Sequence, residues 1–249
     1  MCPILIDFGF VTIYWYGVTV AVSILVSIFL IHRQNGLSKE DAYVIDNVII
    51  CALFFGILGA RLLHVFQNWQ YYSISPNEIV AIHKGGLAIQ GGIFLGFVSS
   101  LFYLILRNKL KLADLIMPYL ALSQAIGRIG CFLNGCCYGI ECDAFFCVKF
   151  PNLTAKVLPV QFFYSFLFLA LFFLLRKIYK KQIFRFQTLI LYFVFDGTLR
   201  FFLDFLRGDL ESVVFGLKLS QIVALVTILI FSIVYVLLWR IWKRQTKLS

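Results

Sequence analysis

Apolar residues run along this chain in seven stretches, 11–31, 44–66, 86–106, 112–130, 158–175, 186–206 and 219–241, separated by short polar connectors. Each stretch is long enough to cross a hydrocarbon core of about 30 Å as a helix, or nearly so. The pattern predicts an all-α polytopic membrane protein of seven transmembrane helices. With 249 residues there is no room for a large soluble domain, so residues 1–249 are expected to form a single integral membrane domain. A small cysteine-rich extracytoplasmic loop is expected at 131–157. Composition agrees: 61% of residues are hydrophobic and 14% charged, against about 45–50% and 25% in soluble domains. The start, Met1-Cys2-Pro3, lacks a basic region and a small-residue cleavage site before the first long apolar stretch. That stretch is therefore expected to stay as a helix.

Charge sets the orientation. Arg33 and Lys39 follow the first stretch, Arg107, Lys109 and Lys111 the third, Arg176, Lys177, Lys180, Lys181 and Arg185 the fifth, and Arg240, Lys243, Arg244 and Lys247 the seventh. Those are 14 of the 22 basic residues, against Lys84, Lys149, Lys156, Arg207 and Lys218 on the other side. The positive-inside rule then places the N-terminus outside and the C-terminus in the cytoplasm. The net charge of +10 does not point to nucleic acid, because the basic residues sit at the ends of apolar runs instead of forming a water-exposed patch.

Arg61, Arg128 and Arg200 remain, within or at the outer ends of apolar stretches. An arginine in the bilayer costs roughly 2.5–3.5 kcal/mol on insertion scales, so it needs a partner, a polar cavity or a ligand. Asp196, Arg200, Asp204 and Arg207 recur at i, i+4, i+8 and i+11, one stripe of a continuous helix. Such a stripe can hold an anionic headgroup through guanidinium forks, or neutralise itself and join helices. Arg61 and Arg128 have no acidic neighbour in their own stretches, and this surplus of positive charge favours an anion site.

The glycine-rich segment Gly85-Gly86-Leu87-Ala88-Ile89-Gln90-Gly91-Gly92 lets another backbone or a ligand come close. Gln90 is expected there as a buried amide. Five of the seven cysteines, Cys131, Cys136, Cys137, Cys142 and Cys147, follow one another near the fourth stretch and the outer loop. Disulfide stapling of that loop is the expected state. No metal site is expected, since there is no CxxC spacing and no adjacent His.

In this order, the segments resemble the prolipoprotein diacylglyceryl transferase family across nearly the whole chain. Tyr14-Trp15-Tyr16-Gly17 resembles its first-helix motif, Gly59-Ala60-Arg61 its second-helix arginine site, and Gly85 to Gly92 its GG-x-x-x-H-GG segment. Gly127-Arg128-Ile129-Gly130-Cys131-Phe132-Leu133-Asn134-Gly135-Cys136-Cys137-Tyr138-Gly139 resembles the signature GR-x-G-N-F-x-N-x-E-x-x-G. Pro159 and Gln161 are similar to the segment H-P-x-Q-x-Y-E, and Arg200, Asp204 and Arg207 to R-x-x-x-E-x-x-R. There are departures. Gln90 stands for the family His, Cys131 and Cys136 for the signature's first Asn and its Glu, and Leu158, Phe163 and Tyr164 for His, Tyr and Glu.

The resemblance implies a multi-pass enzyme of the bacterial plasma membrane that needs no cofactor. Its partners would be phosphatidylglycerol, the lipobox segment of a preprolipoprotein and membrane lipids. It implies catalytic roles for Arg128, Arg200, Gln90 and Asp204, with Arg128 and Arg200 holding the lipid phosphate. Arg61, Arg207, Tyr16, Asn134, Gly91 and Gly92 would contact substrate. Gln90 can donate a hydrogen bond but is no base near neutral pH. Thiol deprotonation then falls first to the field of the arginines, which lowers a thiol pKa from about 8.5 by a unit or more. Asp204, His64 and His83 come next. The sequence leaves two rivals open: a related transferase whose cysteines bind or carry another acceptor, and a lipid-binding or transport protein that has lost the base.

Overall fold

The computed structural model describes residues 4–7, 12–81, 85–151 and 153–248. His83 and Lys84, named above, lie outside them, as do Met1, Cys2, Pro3, Val11 and Asn152. The helices are α1 (Trp15–His32), α2 (Lys39–Gln67), the short α3 (Trp69–Ile74), α4 (Ile89–Leu106), α5 (Leu112–Asn134), α6 (Val160–Lys180), α7 (Gln187–Leu203) and α8 (Leu219–Leu248). Apart from α3, each falls on one of the seven apolar stretches. Among the described residues six of them, all but α7, are long and apolar enough to cross a membrane. α7 is 17 residues long and carries both Asp196 and Arg200.

The all-helical expectation needs correction at two short antiparallel hairpins, β1 (Ile4–Asp7) with β2 (Thr12–Tyr14), and β3 (Ser212–Val214) with β4 (Leu217–Lys218). The second is closed by Phe215 and Gly216, both at positive φ of 50° and 73°. Two such residues match the strand twist, as in a two-residue hairpin turn. Phe is an uncommon choice for that conformation, so the turn carried only half of its usual sequence signal.

The chain divides into two compact units, 34–113 and 1–33 with 114–249. In the first, Ser38 caps α2 by accepting from the Asp41 N–H at 3.0 Å, and Lys109 pairs with Glu40 and Asp41 at 3.1 and 2.9 Å. α2 and α4 run antiparallel with small residues facing each other. A Cβ on Gly59 would run into the Gly91 carbonyl, one on Gly91 into the Gly59 carbonyl, and one on Gly96 would come within 2.9 Å of the Ala52 carbonyl oxygen. In lipid, where apolar side chains gain nothing by leaving acyl chains, this close backbone approach supplies the packing.

In the second unit, α1 meets α5 through hydroxyls, with Ser27 Oγ 2.8 Å from Ser123 Oγ and donating to the Tyr119 carbonyl at 3.2 Å. Phe193 of α7 stacks on Phe231 of α8 at 4.3 Å. Tyr119, Tyr164, Phe168 and Leu175 are fully buried. Leu25, Phe29, Phe166, Phe173, Leu229 and Leu237 point outward, where acyl chains replace water as their surroundings.

Asp114 is buried near the start of α5 and accepts from the backbone N–H groups of Phe186 and Leu189 at 2.7 and 2.9 Å, and from Gln182 Nε2 at 2.7 Å. It thereby caps the N-terminus of α7 from another helix, satisfying amides that have no partner within their own helix. Asp114→Ala is expected to destabilise the protein by about 2 kcal/mol, read as a lower thermal midpoint in detergent. An unchanged midpoint would show that water replaces the carboxylate there.

Candidate active site

The site begins where α5 stops. Gly135 takes a positive φ of 72°, its N–H bonds the Phe132 carbonyl, and the Cys136 N–H bonds back to the Cys131 carbonyl, both at 3.1 Å. This is the glycine-terminated helix end in which the residue two beyond the cap returns over the last turn. An apolar pair often makes that contact; here it is Cys131 and Cys136. Cys137, also at positive φ (60°), adds a third thiol. Their sulfur atoms lie within 4.8 Å of one another, with Cys131 buried and the other two half-buried. The Cys136 thiol donates to the Cys131 carbonyl at 3.6 Å, and its two thiol neighbours hold its pKa below the ordinary thiol range. Gln161, fully buried, donates to the Cys136 carbonyl at 2.8 Å.

The disulfide expectation is therefore only partly right. Cys142 pairs with Cys147, whereas Cys131, Cys136 and Cys137 are free thiols. The absence of a CxxC spacing was also a poor guide to sulfur proximity, because a helix end closed by glycine brings residues five apart together as effectively.

Beyond the cysteines the chain is drawn against α7. The Gly139 N–H bonds the Leu158 carbonyl at 2.8 Å, the Ile140 N–H the Leu206 carbonyl at 2.9 Å, and the Gly208 N–H the Tyr138 carbonyl at 3.0 Å. A Cβ on Gly139 would lie 2.7 Å from the Leu158 carbonyl oxygen, so the approach requires glycine. It delivers Arg207 and Asp209 to the cysteine turn. The two form a bidentate pair, Nε to Oδ1 at 2.9 Å and Nη2 to Oδ2 at 2.7 Å.

Arg128 lies over the ring of Tyr164 with its guanidinium carbon 4.1 Å from the centroid, a distance at which a cation is held by the ring's quadrupole. Among the described residues it pairs with no carboxylate. Tyr164 donates a hydrogen bond to Asp204 and lies within electrostatic reach of both Arg128 and Arg200. Arg200 Nε donates to Asp196 at 2.9 Å, while Gln124 holds the other oxygen of Asp196 at 3.3 Å and accepts from Tyr192 at 3.1 Å. Tyr16 couples electrostatically to Arg128 and to the three clustered cysteines. Asn134, the last residue of α5, lies beside Cys136 and acts on its thiol.

The continuous stripe expected from Asp196 to Arg207 is broken. α7 ends at Leu203, and Asp204–Leu206 forms a 3₁₀ turn. Lys218 donates to the carbonyl of Asp204 at 2.6 Å and to that of Arg207, rewarding an opened helix end. Burial lowers the Lys218 pKa from its ordinary value. Asp204 bonds Tyr164 and lies 3.6 Å from Arg207. Thus Arg128, Arg200, Asp204, Arg207, Tyr16 and Asn134 share one region of one unit. Tyr164, Lys218, Asp209 and Gln124 belong there too, without having been picked out from the sequence as site residues.

Arg61, Gln90, Gly91 and Gly92 lie in the other unit. Arg61 is buried, 6% exposed, and donates to the carbonyls of Ile79, Gly85, Gly86 and Glu78 at 2.8, 2.7, 2.8 and 2.5 Å. Gly85 and Gly86 both adopt positive φ, 87° and 75°, which turns their carbonyls to it. Gly91 and Gly92 pack against the backbone of Gly59 and Gly56. Gln90, expected as a buried amide, is exposed in the first turn of α4. The glycines around it serve the helix pair, so their presence does not imply an enclosed amide.

A family model described as prolipoprotein diacylglyceryl transferase matches residues 3–238. Three curated proteins, each called phosphatidylglycerol–prolipoprotein diacylglyceryl transferase, are similar over almost their whole length. That of Clostridium tetani (strain Massachusetts / E88) is 35% identical over 249 positions, 94% of this chain and 97% of that protein. That of Clostridium novyi (strain NT) is 32% identical over 243 positions, 92% and 93%. That of Streptococcus uberis is 32% identical over 253 positions, 96% and 95%.

Proposed function

Because this chain belongs to the prolipoprotein diacylglyceryl transferase family, we propose that it moves diacylglyceryl from phosphatidylglycerol to the thiol of a lipobox cysteine in a preprolipoprotein. It is a multi-pass transferase of the bacterial inner membrane. In the proposed step sulfur attacks the glyceryl carbon and a C–S bond forms. The C–O bond to phosphate breaks, its electron pair leaves on the phosphate oxygen, and glycerol phosphate departs. The thiol proton passes to solvent.

The observation that carries this reading is the state of Arg128. A guanidinium with no carboxylate partner among the described residues, held over the ring of Tyr164, keeps N–H donors for an incoming oxyanion. Arg200 reaches the same tyrosine and engages Asp196 through Nε, so the pair is suited to the phosphate whose charge grows as the C–O bond breaks. Asp204 and Arg207 hold the arrangement in register. Tyr16 and Asn134 contribute to substrate contact in the same unit, whereas Arg61 positions the backbone of Glu78, Ile79, Gly85 and Gly86 in the other. Purified protein, isotope-labelled phosphatidylglycerol and a lipobox peptide, read by mass spectrometry, should yield the thioether. A related transferase with another thiol acceptor is the second reading, favoured by Cys131, Cys136 and Tyr164 standing at the family's Asn and Glu positions. Label appearing on a different thiol and never on the lipobox peptide would select it.

The finer topology belongs to the same proposal: seven spans including α7, N-terminus outside, C-terminus in the cytoplasm. Reporter fusions after Thr246 and after Asn152 should report opposite sides. Both on one side would remove the seven-span arrangement.

A further inference from the structure

We propose that Cys131, Cys136 and Cys137 form a three-thiolate Zn2+ site whose open fourth position takes the acceptor thiol. The inference rests on the transferase reading above for its substrate, but not for the metal. Among the described residues this is the group of His, Cys, Asp and Glu side chains that converges closely enough to hold an ion. A tetrahedral site with Zn–S of about 2.3 Å has sulfur–sulfur edges of about 3.8 Å, so the sulfurs, all within 4.8 Å of one another, need to close by about 1 Å at most.

The surroundings fit a metal site better than a chance meeting of thiols. The glycine-terminated end of α5 fixes Cys131 against Cys136 through backbone hydrogen bonds, and Cys137 is held in a left-handed conformation (φ 60°) rarely adopted by residues other than glycine. Gln161 anchors the Cys136 carbonyl, the kind of outer support that orients metal ligands. The second amide atom of Gln161, Oε1, is buried with no hydrogen-bond partner. Zn2+ with three thiolates carries a net negative charge, and Arg128 and Arg207 lie within electrostatic reach of Cys131 and Cys137 respectively. The neighbouring carboxylate, Asp209, already has both oxygens on Arg207, so it does not fill the fourth position.

That position supplies what the chain otherwise lacks. A thiol bound to Zn2+ loses its proton to solvent and stays nucleophilic as a thiolate. The bound sulfur attacks the glyceryl carbon, the C–O electron pair leaves on phosphate beside Arg128 and Arg200, and the neutral thioether dissociates from the metal. No oxidant or reductant is involved, and no side-chain base at position 90 is needed.

The full-length protein in detergent should bind one Co2+ per chain with thiolate-to-cobalt charge-transfer absorption and the intense visible bands of tetrahedral geometry. A cysteine lipobox peptide should shift those visible bands, and its serine counterpart should not. Cys131→Ser and Cys136→Ser should each weaken Zn2+ binding at least about a hundredfold, while the paired Cys142→Ser, Cys147→Ser variant should retain it. If a cysteine variant fails to fold, protection of the native thiols from alkylation by Zn2+ reads the same site. The proposal falls if no charge-transfer band appears, if copper(I) alone is retained, if two of the three cysteines are isolated as a disulfide, or if chelation leaves transfer unchanged. Metal binding with a peptide-induced shift but no lipid transfer would retain the site and reject the transferase reading.

Discussion

Arg128→Gln is expected to lower kcat/KM for lipobox-peptide lipidation by roughly a hundredfold to a thousandfold, the loss that accompanies removal of one preorganised donor to a developing oxyanion. The structure makes the expectation specific. Arg200 is bound to Asp196, and Arg207 to Asp209 with Asp204 nearby, so those two cations are partly neutralised. Arg128 has no carboxylate partner among the described residues and lies against the face of Tyr164. Its loss therefore removes transition-state stabilisation while forfeiting a cation–π contact of only about 1 kcal/mol. Arg128→Lys should recover part of the rate, since an ammonium keeps the charge but not the planar fork. Initial rates with labelled phosphatidylglycerol, with a thermal melt to confirm folding, make the measurement. A rate within about threefold of the native protein, on a scale where tenfold is about 1.4 kcal/mol, would reassign Arg128 to structure.

Much of this arrangement could be read from the chain because lipid is a strict solvent. An arginine in an apolar run is costly, so Arg128 and Arg200 stood out, and the seven apolar stretches located the seven long helices. What escaped was tertiary. Tyr164 sits in the run Phe162-Phe163-Tyr164-Ser165-Phe166, where a phenol looks like core, and only its neighbours on α5 and after α7 make it the link between Arg128 and Asp204. The helical spacing of Asp196, Arg200, Asp204 and Arg207 continues past Leu203 although the helix does not, because Lys218, distant in sequence, takes the freed carbonyls. The cysteines looked like disulfide material, as Cys142 and Cys147 are. At the other three, Gly135 was the informative residue, since a glycine at a helix end folds position 136 back over position 131.

Arg61→Gln is expected to act on folding more than on chemistry, destabilising the protein by about 3–5 kcal/mol. The resemblance implied a substrate contact, yet four of the five N–H donors of a guanidinium are directed to the carbonyls of Ile79, Gly85, Gly86 and Glu78, and its central carbon lies 5.3 Å from the Tyr72 ring centroid. Two of those carbonyls are turned toward it by the positive φ of Gly85 and Gly86, so a shorter amide leaves several of the four without donors. Each such group costs about 1–3 kcal/mol, and losses within one cluster are not additive, which sets the estimate below the full sum. Gly85 and Gly86 lead into α4, where the Ala88 N–H bonds the Ala60 carbonyl at 2.9 Å and Ile89 begins the helix. Loosening there should appear as faster amide exchange at 78–81 and 85–88 and a lower thermal midpoint, with catalysis falling only in proportion to the folded fraction. A raised KM for phosphatidylglycerol at unchanged stability would instead return Arg61 to the substrate.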